Sequence, residues 1–377
     1  TVTAQDTYNN TATSYAGTVH FTSSDAKATL PVNSPLTSGT KSFSVTFGTA
    51  GTQNLTATDT VTAGITGFAS ATVNPGAATQ FVFQALPAFA NAGSSFAFRL
   101  TALDVDGNTA TGYTGTVHFT SSDPHPAALP ANYTFTVGAL KDNGKHIFNA
   151  TLFTTASQSI TATDTVTASI KGTANETVHP AATSKLSVTA PASVNAGVAF
   201  NVTVTAQDAF GNTTPAYGGT VHLTSTDPLA TLGADSTLIS GVGTFASKLQ
   251  TTPTQHITAT DTVTGTITGT SNAITVNKSN TSVTLTASLN PMYFRHRGTL
   301  TATVHVTGGS GKTTGTVQFK SGSTVLGTVI VAANGTAGLA VPELRFNTYS
   351  VTATYSGDAN YNTSTSPALT FKVRPAP

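Results

Sequence analysis

Thr13-Ser-Tyr15-Ala-Gly17-Thr-Val-His20-Phe-Thr-Ser-Ser-Asp25 returns as Thr111-Gly-Tyr113-Thr-Gly115-Thr-Val-His118-Phe-Thr-Ser-Ser-Asp123. It returns again as Pro215-Ala-Tyr217-Gly-Gly219-Thr-Val-His222-Leu-Thr-Ser-Thr-Asp227. The Tyr-to-Tyr offsets are 113 − 15 = 98 and 217 − 113 = 104. A second string keeps the same beat: Thr56-Ala-Thr-Asp59-Thr-Val61, Thr161-Ala-Thr-Asp164-Thr-Val166 and Thr258-Ala-Thr-Asp261-Thr-Val263. A period near 100 lies far above the roughly 20–50 residues of solenoids and propeller blades. It is the size of a whole β-sandwich domain. Within each copy Val and Phe or Leu alternate with the His, the two-residue period of a half-buried strand.

The third copy gives the clearest strand reading. Lys185–Ala190 alternates. In Ala199–Asp208, Phe200, Val202, Val204 and Ala206 share one face. Asp208-Ala-Phe-Gly211-Asn212 turns the chain, with Gly or Asn at positive φ and Asx capping by the Asp. Gly219–Ser225, short segments near Thr231 and Thr237, Gly243–Gln250, Gln255–Thr262 and Thr266–Val276 complete seven strands. Short alternating strands at this spacing predict an all-β fold of tandem sandwiches. The joints Asn74-Pro75-Gly76, His179-Pro180-Ala181 and Asn277-Lys278-Ser279-Asn280 divide the chain into modules at 1–74, 80–178, 185–276 and 281–373. Each is expected to have its own core, and short joints limit bending without abolishing it. At about 3.3 Å per residue a ten-residue strand makes a module roughly 35 Å long, and four in line make an extended rod.

Composition narrows the function classes. Charged residues are 8% of 377, against roughly 25% in ordinary domains. With a net charge of +1 there is no electrostatic footprint for nucleic acid or anionic lipid. The absence of Cys excludes disulfides, Cys-ligated zinc and thiol nucleophiles. No run of 18 apolar residues offers a membrane-spanning helix. Thr makes up about a fifth of the chain, which favours strands. Thr1-Val2-Thr3-Ala4-Gln5-Asp6 is not a signal peptide, and the uncharged, Thr-rich surface points to a secreted product.

The Asp208-x-x-Gly211-Asn212 turn, followed by Tyr217-Gly-Gly-Thr-Val-His222-Leu-Thr-Ser-Thr-Asp227, resembles bacterial immunoglobulin-like repeats. Such repeats occur in tandem in invasin- and intimin-like adhesins. The fourth module differs in type. Its Gly315-Thr-Val-Gln-Phe-Lys-Ser-Gly-Ser-Thr-Val-Leu-Gly327 and Val351-Thr-Ala-Thr-Tyr355-Ser-Gly357-Asp358-Ala-Asn360-Tyr361 resemble a second bacterial Ig-like repeat family. The resemblance implies an extracellular or cell-surface stalk or adhesion architecture, and no catalytic residues.

Candidate chemistry is sparse. His20, His118 and His222 sit in different modules, so they cannot converge on one metal, and each reads as a strand-surface side chain. Asp104-Val-Asp106-Gly107-Asn108 places oxygen donors at alternate positions, like the opening of a calcium loop, but no late Glu follows. Asp104, Asp106 and Asn108 are therefore a weak calcium candidate, with Asx capping of a turn as the competing reading. Gly309-Ser-Gly311-Lys312-Thr313 lacks the leading Gly of a phosphate loop (Val306 stands there) and precedes a strand, so it reads as a hairpin connection. Arg295-His296-Arg297 is a small basic spot, read as a solvated loop. Tyr15, Tyr113 and Tyr217 are expected to anchor a sandwich corner through the phenol, and Asp25, Asp123 and Asp227 to cap turns. No catalytic residue, cofactor or metal ligand beyond the calcium candidate is expected.

The first module has five residues before Asp6, where the second and third have over twenty before Asp104 and Asp208. A first strand and half of a second are thus expected to be missing, leaving an open edge and a partly bare core. Either the chain is a segment of a longer tandem protein, or a strand from a neighbouring subunit completes the module and builds a homopolymer. The expected partners are further copies, other surface proteins or glycans. A carbohydrate-binding array would need exposed aromatic platforms, and Trp is absent.

Overall fold

The computed structural model describes residues 1–375, and all regular structure among them is β-strand. The chain divides into two compact units, Thr1–Pro180 and the part from Ala181 onward. In the first unit, Ser34–Pro35, Thr18–Ser23, Gly51–Asp59 and Thr66–Val73 form one antiparallel sheet, with Val2–Thr3 pairing Thr40–Lys41 beside it. Further along, Tyr133–Thr134, Thr116–Ser121, Ala156–Asp164, Lys171–His179 and Ala90–Asn91 form a five-stranded sheet. Lys145–Thr151, Ser95–Leu103 and Gln80–Gln84 face it as a three-stranded one. Phe98, Phe119 and Phe148 meet between the two layers, with ring centroids 4.8–5.8 Å apart. Burying each such side chain contributes roughly 1.5–3 kcal/mol.

The second unit repeats the plan. Lys185–Thr189, Ala199–Gln207 and Val242–Lys248 oppose Ser236–Thr237, Thr220–Ser225, Ile257–Asp261 and Thr268–Thr270. Val202, Val204 and Ala206 are fully buried as their period predicts, while Phe200 is only half-buried. The expected last strand, Thr266–Val276, is two strands: Ser271 breaks it, exchanging hydrogen bonds with Ile257 through its backbone N–H and its hydroxyl. Ile274–Asn277 then pairs Thr254–Gln255 and, in parallel, Ser193–Asn195. The module from 281 sets Thr281–Ala287, Thr299–Val306 and Thr336–Ala340 against Met292–Tyr293, Leu369–Arg374, Asn347–Tyr355, Thr316–Ser321 and Thr324–Ile330. These are tandem Ig-like β-sandwiches.

Two expectations change here. Gly309–Thr313 is not a hairpin: Thr299–Val306 and Thr316–Ser321 lie in different sheets, and the segment crosses between them. The cores of 185–276 and 281–373 are not separate. Their buried apolar side chains form one continuous cluster running from Leu186 to Val373. At the joint, Gly311 lies between Tyr361, 1% exposed, and the side chain of Gln250.

Candidate interaction sites: the module joints and an open groove

The two repeated strings meet in space. Tyr15 donates its phenol hydrogen to Asp59 Oδ2, Tyr113 to Asp164 and Tyr217 to Asp261. Each Asp also accepts two backbone N–H groups through Oδ1, as Asp164 does from Val166 (2.9 Å) and Thr167 (2.6 Å). The repeated Gly17, Gly115 and Gly219 belong to this device, because a Cβ there would overlap both the phenol and the carboxylate. Burial and the adjacent carboxylate push the Tyr15 phenol up to about 12 and raise Tyr113 and Tyr217 as well. The expected tyrosine anchor is in place, and its acceptor is the Asp of the second string.

At the opposite end of each of these repeats lies the Asp that closes the Thr-Ser-Ser/Thr-Asp run. Asp25, 4% exposed, accepts N–H bonds from Gly48 (2.7 Å) and Thr49 (2.9 Å) through Oδ2. Oδ1 takes the Lys27 N–H and the Thr49 hydroxyl. Burial opposes ionisation, but the Thr49 hydroxyl and the N–H groups outweigh it and hold the carboxyl at about 2. Asp123 grips Phe153 and Thr154 in the same way, and Asp227 grips Gln250 and Thr251. Asp25 and Asp227 do more than cap a turn: each shapes a loop that meets the next module.

Asn108 completes that meeting. Its Oδ1 accepts the Ala50 N–H (2.9 Å) and its Nδ2 donates to the Gly48 carbonyl (2.9 Å), so the side-chain amide pairs with the loop as a strand would. Asp104 holds Asn108 in place: Oδ1 accepts from the N–H groups of Asp106 and Asn108, and Oδ2 from the linker N–H of Gly76 and the Asn108 amide. Gly107 takes φ 82°, as Asn9 (67°) and Gly211 (91°) do in the equivalent turns. The calcium candidate Asp104, Asp106 and Asn108 thus forms a joint: the Asp104 oxygens face N–H donors, and the Asp106 carbonyl accepts from Lys27 Nζ. A calcium ion requires six to eight oxygen ligands. No cluster of three or more His, Asp or Glu suited to a metal occurs among the described residues.

The joint into the fourth module reaches the preceding loop with a different sequence and again with an Asn side-chain oxygen. Asp227 positions Gln250 and Thr251, and the next residue, Thr252, donates its N–H to Asn360 Oδ1 (3.1 Å) and its hydroxyl to the Ala359 carbonyl (3.0 Å). Asp358 supports Asn360 by accepting its N–H (2.8 Å), as Asp104 supports Asp106 and Asn108. Ser310 adds an N–H bond to the Gly197 carbonyl (3.0 Å) and accepts from Lys248 Nζ (2.7 Å). Sequence reasoning read Gly309–Thr313 as a connection and missed that it is a joint contact. Only the unusual Gly-Ser-Gly run hinted at close backbone approach.

The remaining candidates lie on the surface. His20 and His118 pair through Nδ1 with Asn33 and Asn132 (2.8 Å each), and His222 pairs with Asp235 (2.7 Å). Arg295, His296 and Arg297 are exposed in a loop, with the Arg295 guanidinium over the Phe294 ring. The exposed aromatics Tyr8, Phe68, Phe89, Tyr293 and Phe346 are scattered along the sequence.

The first module presents a groove of about 600 Å³ lined by Val2, Ala4, Tyr15, Phe21, Leu36 and Phe43. Its Asp6 turn is built like that of Asp104, with Oδ1 accepting from Tyr8 and Asn10 (2.9 Å each), but Asn10 is exposed.

A series of Ig-like sandwiches with a hydrogen-bonded joint inside each of the two units is a modular array. Residues 270–374 match the model of the bacterial Ig-like domain (group 3). Among solved structures, the Escherichia coli adhesin FdeC aligns at 18% identity and TM-score 0.45, over 80% of this chain and 99% of that one. Invasin, a bacterial integrin-binding protein, aligns at 14% and 0.36, over 99% and 74%. The D00-D0 domain of intimin aligns at 15% and 0.30, over 52% and 98%. No curated protein matches.

Proposed function

We propose that the chain is a non-catalytic structural array of a bacterial extracellular protein, acting at the cell surface as a stalk or adhesin spacer. The observation that carries this reading is the joint. Two sequence-distinct turns, Asp104–Asn108 and Asp358–Asn360, each hold the preceding loop through an Asn side chain that a nearby Asp supports. Conserving such geometry across two module types serves the transmission of position and force, and nothing about it serves turnover. The bonds are uncharged on the Asn side, so they keep their strength across salt concentrations. Relaxation measurements by NMR test it. Residues 185–276 and 281–373 should tumble with one correlation time, and Asn360→Ala should separate them. Two independent correlation times in the unaltered chain would defeat the reading. Labelling of intact source cells by an antibody against the chain tests the location.

A second reading is a self-assembling filament in which a strand from a neighbouring subunit completes the first module. It requires concentration-dependent polymers of the purified chain.

A further inference from the structure

We propose that the fourth module carries a pocket for one acidic sugar unit, with Lys312 holding its carboxylate and uncharged groups holding its hydroxyls. The pocket has a volume of about 330 Å³ and lies beside the crossing segment 309–313, between residues 304–306 and the turn 333–335. This goes beyond the structural role, which stands or falls without it.

The sequence accounts for the wall of the pocket. Gly309 and Gly311 let the segment lie flat on its neighbours: a Cβ at Gly309 would strike the Gly197 carbonyl, and one at Gly311 the Tyr361 hydroxyl. The segment is also pinned at both ends. Thr307 donates its N–H to the Asn280 carbonyl (2.8 Å) and Ser310 to that of Gly197 (3.0 Å). Thr314 gives its N–H and its hydroxyl to Asp358 Oδ2 (2.7 and 2.9 Å). The wall is therefore set before any ligand arrives, which lowers the ordering cost of binding.

Unused hydrogen-bonding capacity collects at this wall. Thr313 is 6% exposed, yet its hydroxyl has no hydrogen-bond partner among the described residues, and it lines the pocket. A buried hydroxyl left without a partner is costly, and a ligand oxygen in the pocket would supply one. The N–H groups of Gly309, Gly311, Lys312 and Thr313 likewise have no partner among the described residues. Asn334 accepts the Thr336 N–H (3.1 Å) and hydroxyl (2.7 Å) through Oδ1, which leaves its Nδ2 hydrogens free. His305 Nε2 meets the Thr284 hydroxyl (3.4 Å), and Nδ1 is left over.

Charge selects among polar ligands. Lys312 and His305 line the pocket, and no Asp or Glu does. The ion pairs among the described residues are His146–Asp142 and His222–Asp235, so Lys312 has no counter-ion. Asp358, which holds Thr314, is fully engaged: Oδ2 also accepts the Tyr355 phenol (3.0 Å), and Oδ1 the N–H groups of Asn360 and Tyr361 (2.8 and 2.9 Å). Ligand pockets of this size are mostly apolar. This one has no aromatic lining and is rich in donors. A lone sulfate would use the Lys312 charge and leave much of the volume empty. A molecule with one negative charge and hydroxyls over the rest of its surface matches the lining, and a uronate is the simplest of that kind.

The experiment titrates the isotope-labelled chain by NMR with sodium glucuronate, inorganic sulfate or glucose, at an ionic strength held constant with chloride. We expect saturable glucuronate shifts confined to residues 305–314 and 333–336, with a midpoint of about 1 mM. Sulfate and glucose should bind at least about tenfold more weakly. Lys312→Gln should weaken glucuronate binding at least about tenfold, and Thr313→Val about threefold. Lys312 is exposed, and unchanged shifts elsewhere will show that K312Q folds. Shifts that do not saturate by about 50 mM glucuronate, equal binding of glucose, equal binding of sulfate, or full binding by K312Q would each overturn the proposal.

Discussion

Replacing Tyr113 by Phe deletes one hydroxyl and little else. The ring keeps its edge contacts with Phe81 and Phe135, at 5.5 and 5.2 Å between centroids. What goes is the hydrogen bond to Asp164 Oδ2, in a site where Tyr113 is 9% and Asp164 4% exposed. Hydrogen bonds to charged groups contribute about 1.5–3 kcal/mol. Asp164 retains the Val166 and Thr167 N–H groups on Oδ1, so the lower half of that range is expected. Because the chain holds several modules, the measurement is local: native-state hydrogen exchange at Thr116–Ser121 and Ala156–Asp164, read as opening free energy. The effect has a defined pH dependence. Burial raises the Asp164 carboxyl, but the N–H groups and the Tyr113 phenol outweigh it and hold it below its ordinary value. A depressed carboxylate contributes stability above its unfolded value, about 3.9, and that contribution is lost as pH falls through the folded value. The difference between Y113F and the unaltered chain should therefore shrink in acid. A loss under about 0.5 kcal/mol at neutral pH, within the range of bland surface changes, or one that persists unchanged once Asp164 is protonated, would refute the assignment.

Three further outcomes are expected. Glu176 is 2% exposed with Oε1 unpartnered, and burial raises its carboxyl, so Glu176→Gln should stabilise the second module by about 1–3 kcal/mol at pH 8; the gain should vanish near the unfolded value of about 4.3, as denaturant titrations at both pH values will reveal. Asn108→Ala removes the bonds to Ala50 and Gly48, each contributing about 0.5–1.5 kcal/mol, and should raise exchange at the Ala50 amide while sparing Phe98 and its neighbours. Calcium or a chelator should leave the melting profile unchanged, since the Asp104 oxygens already face N–H donors; a calcium-dependent shift lost in Asp106→Asn would instead support ion binding by this turn.

Period and punctuation settled a great deal in advance. The recurrence of Tyr15, Tyr113 and Tyr217 near every hundred residues, the alternation around Val202 and Val204, and Gly or Asn at the third position after Asp6, Asp104 and Asp208 are local signals. Strand formation and turn geometry depend on neighbours in sequence, so such signals suffice. They also flagged the Asp residues and the joint-forming turn, though as caps and a weak metal loop. The partners of those groups lay out of reach. Tyr113 meets Asp164 across 51 residues, Asn108 meets Ala50 across 58, and Asn360 meets Thr252 across 108. Nothing in a periodic pattern states which loop of one sandwich faces which turn of the next. That is decided when whole sheets pack and their ends come together. The merged core from Leu186 to Val373 arises at the same level, because burial is a property of surfaces already folded and brought into contact.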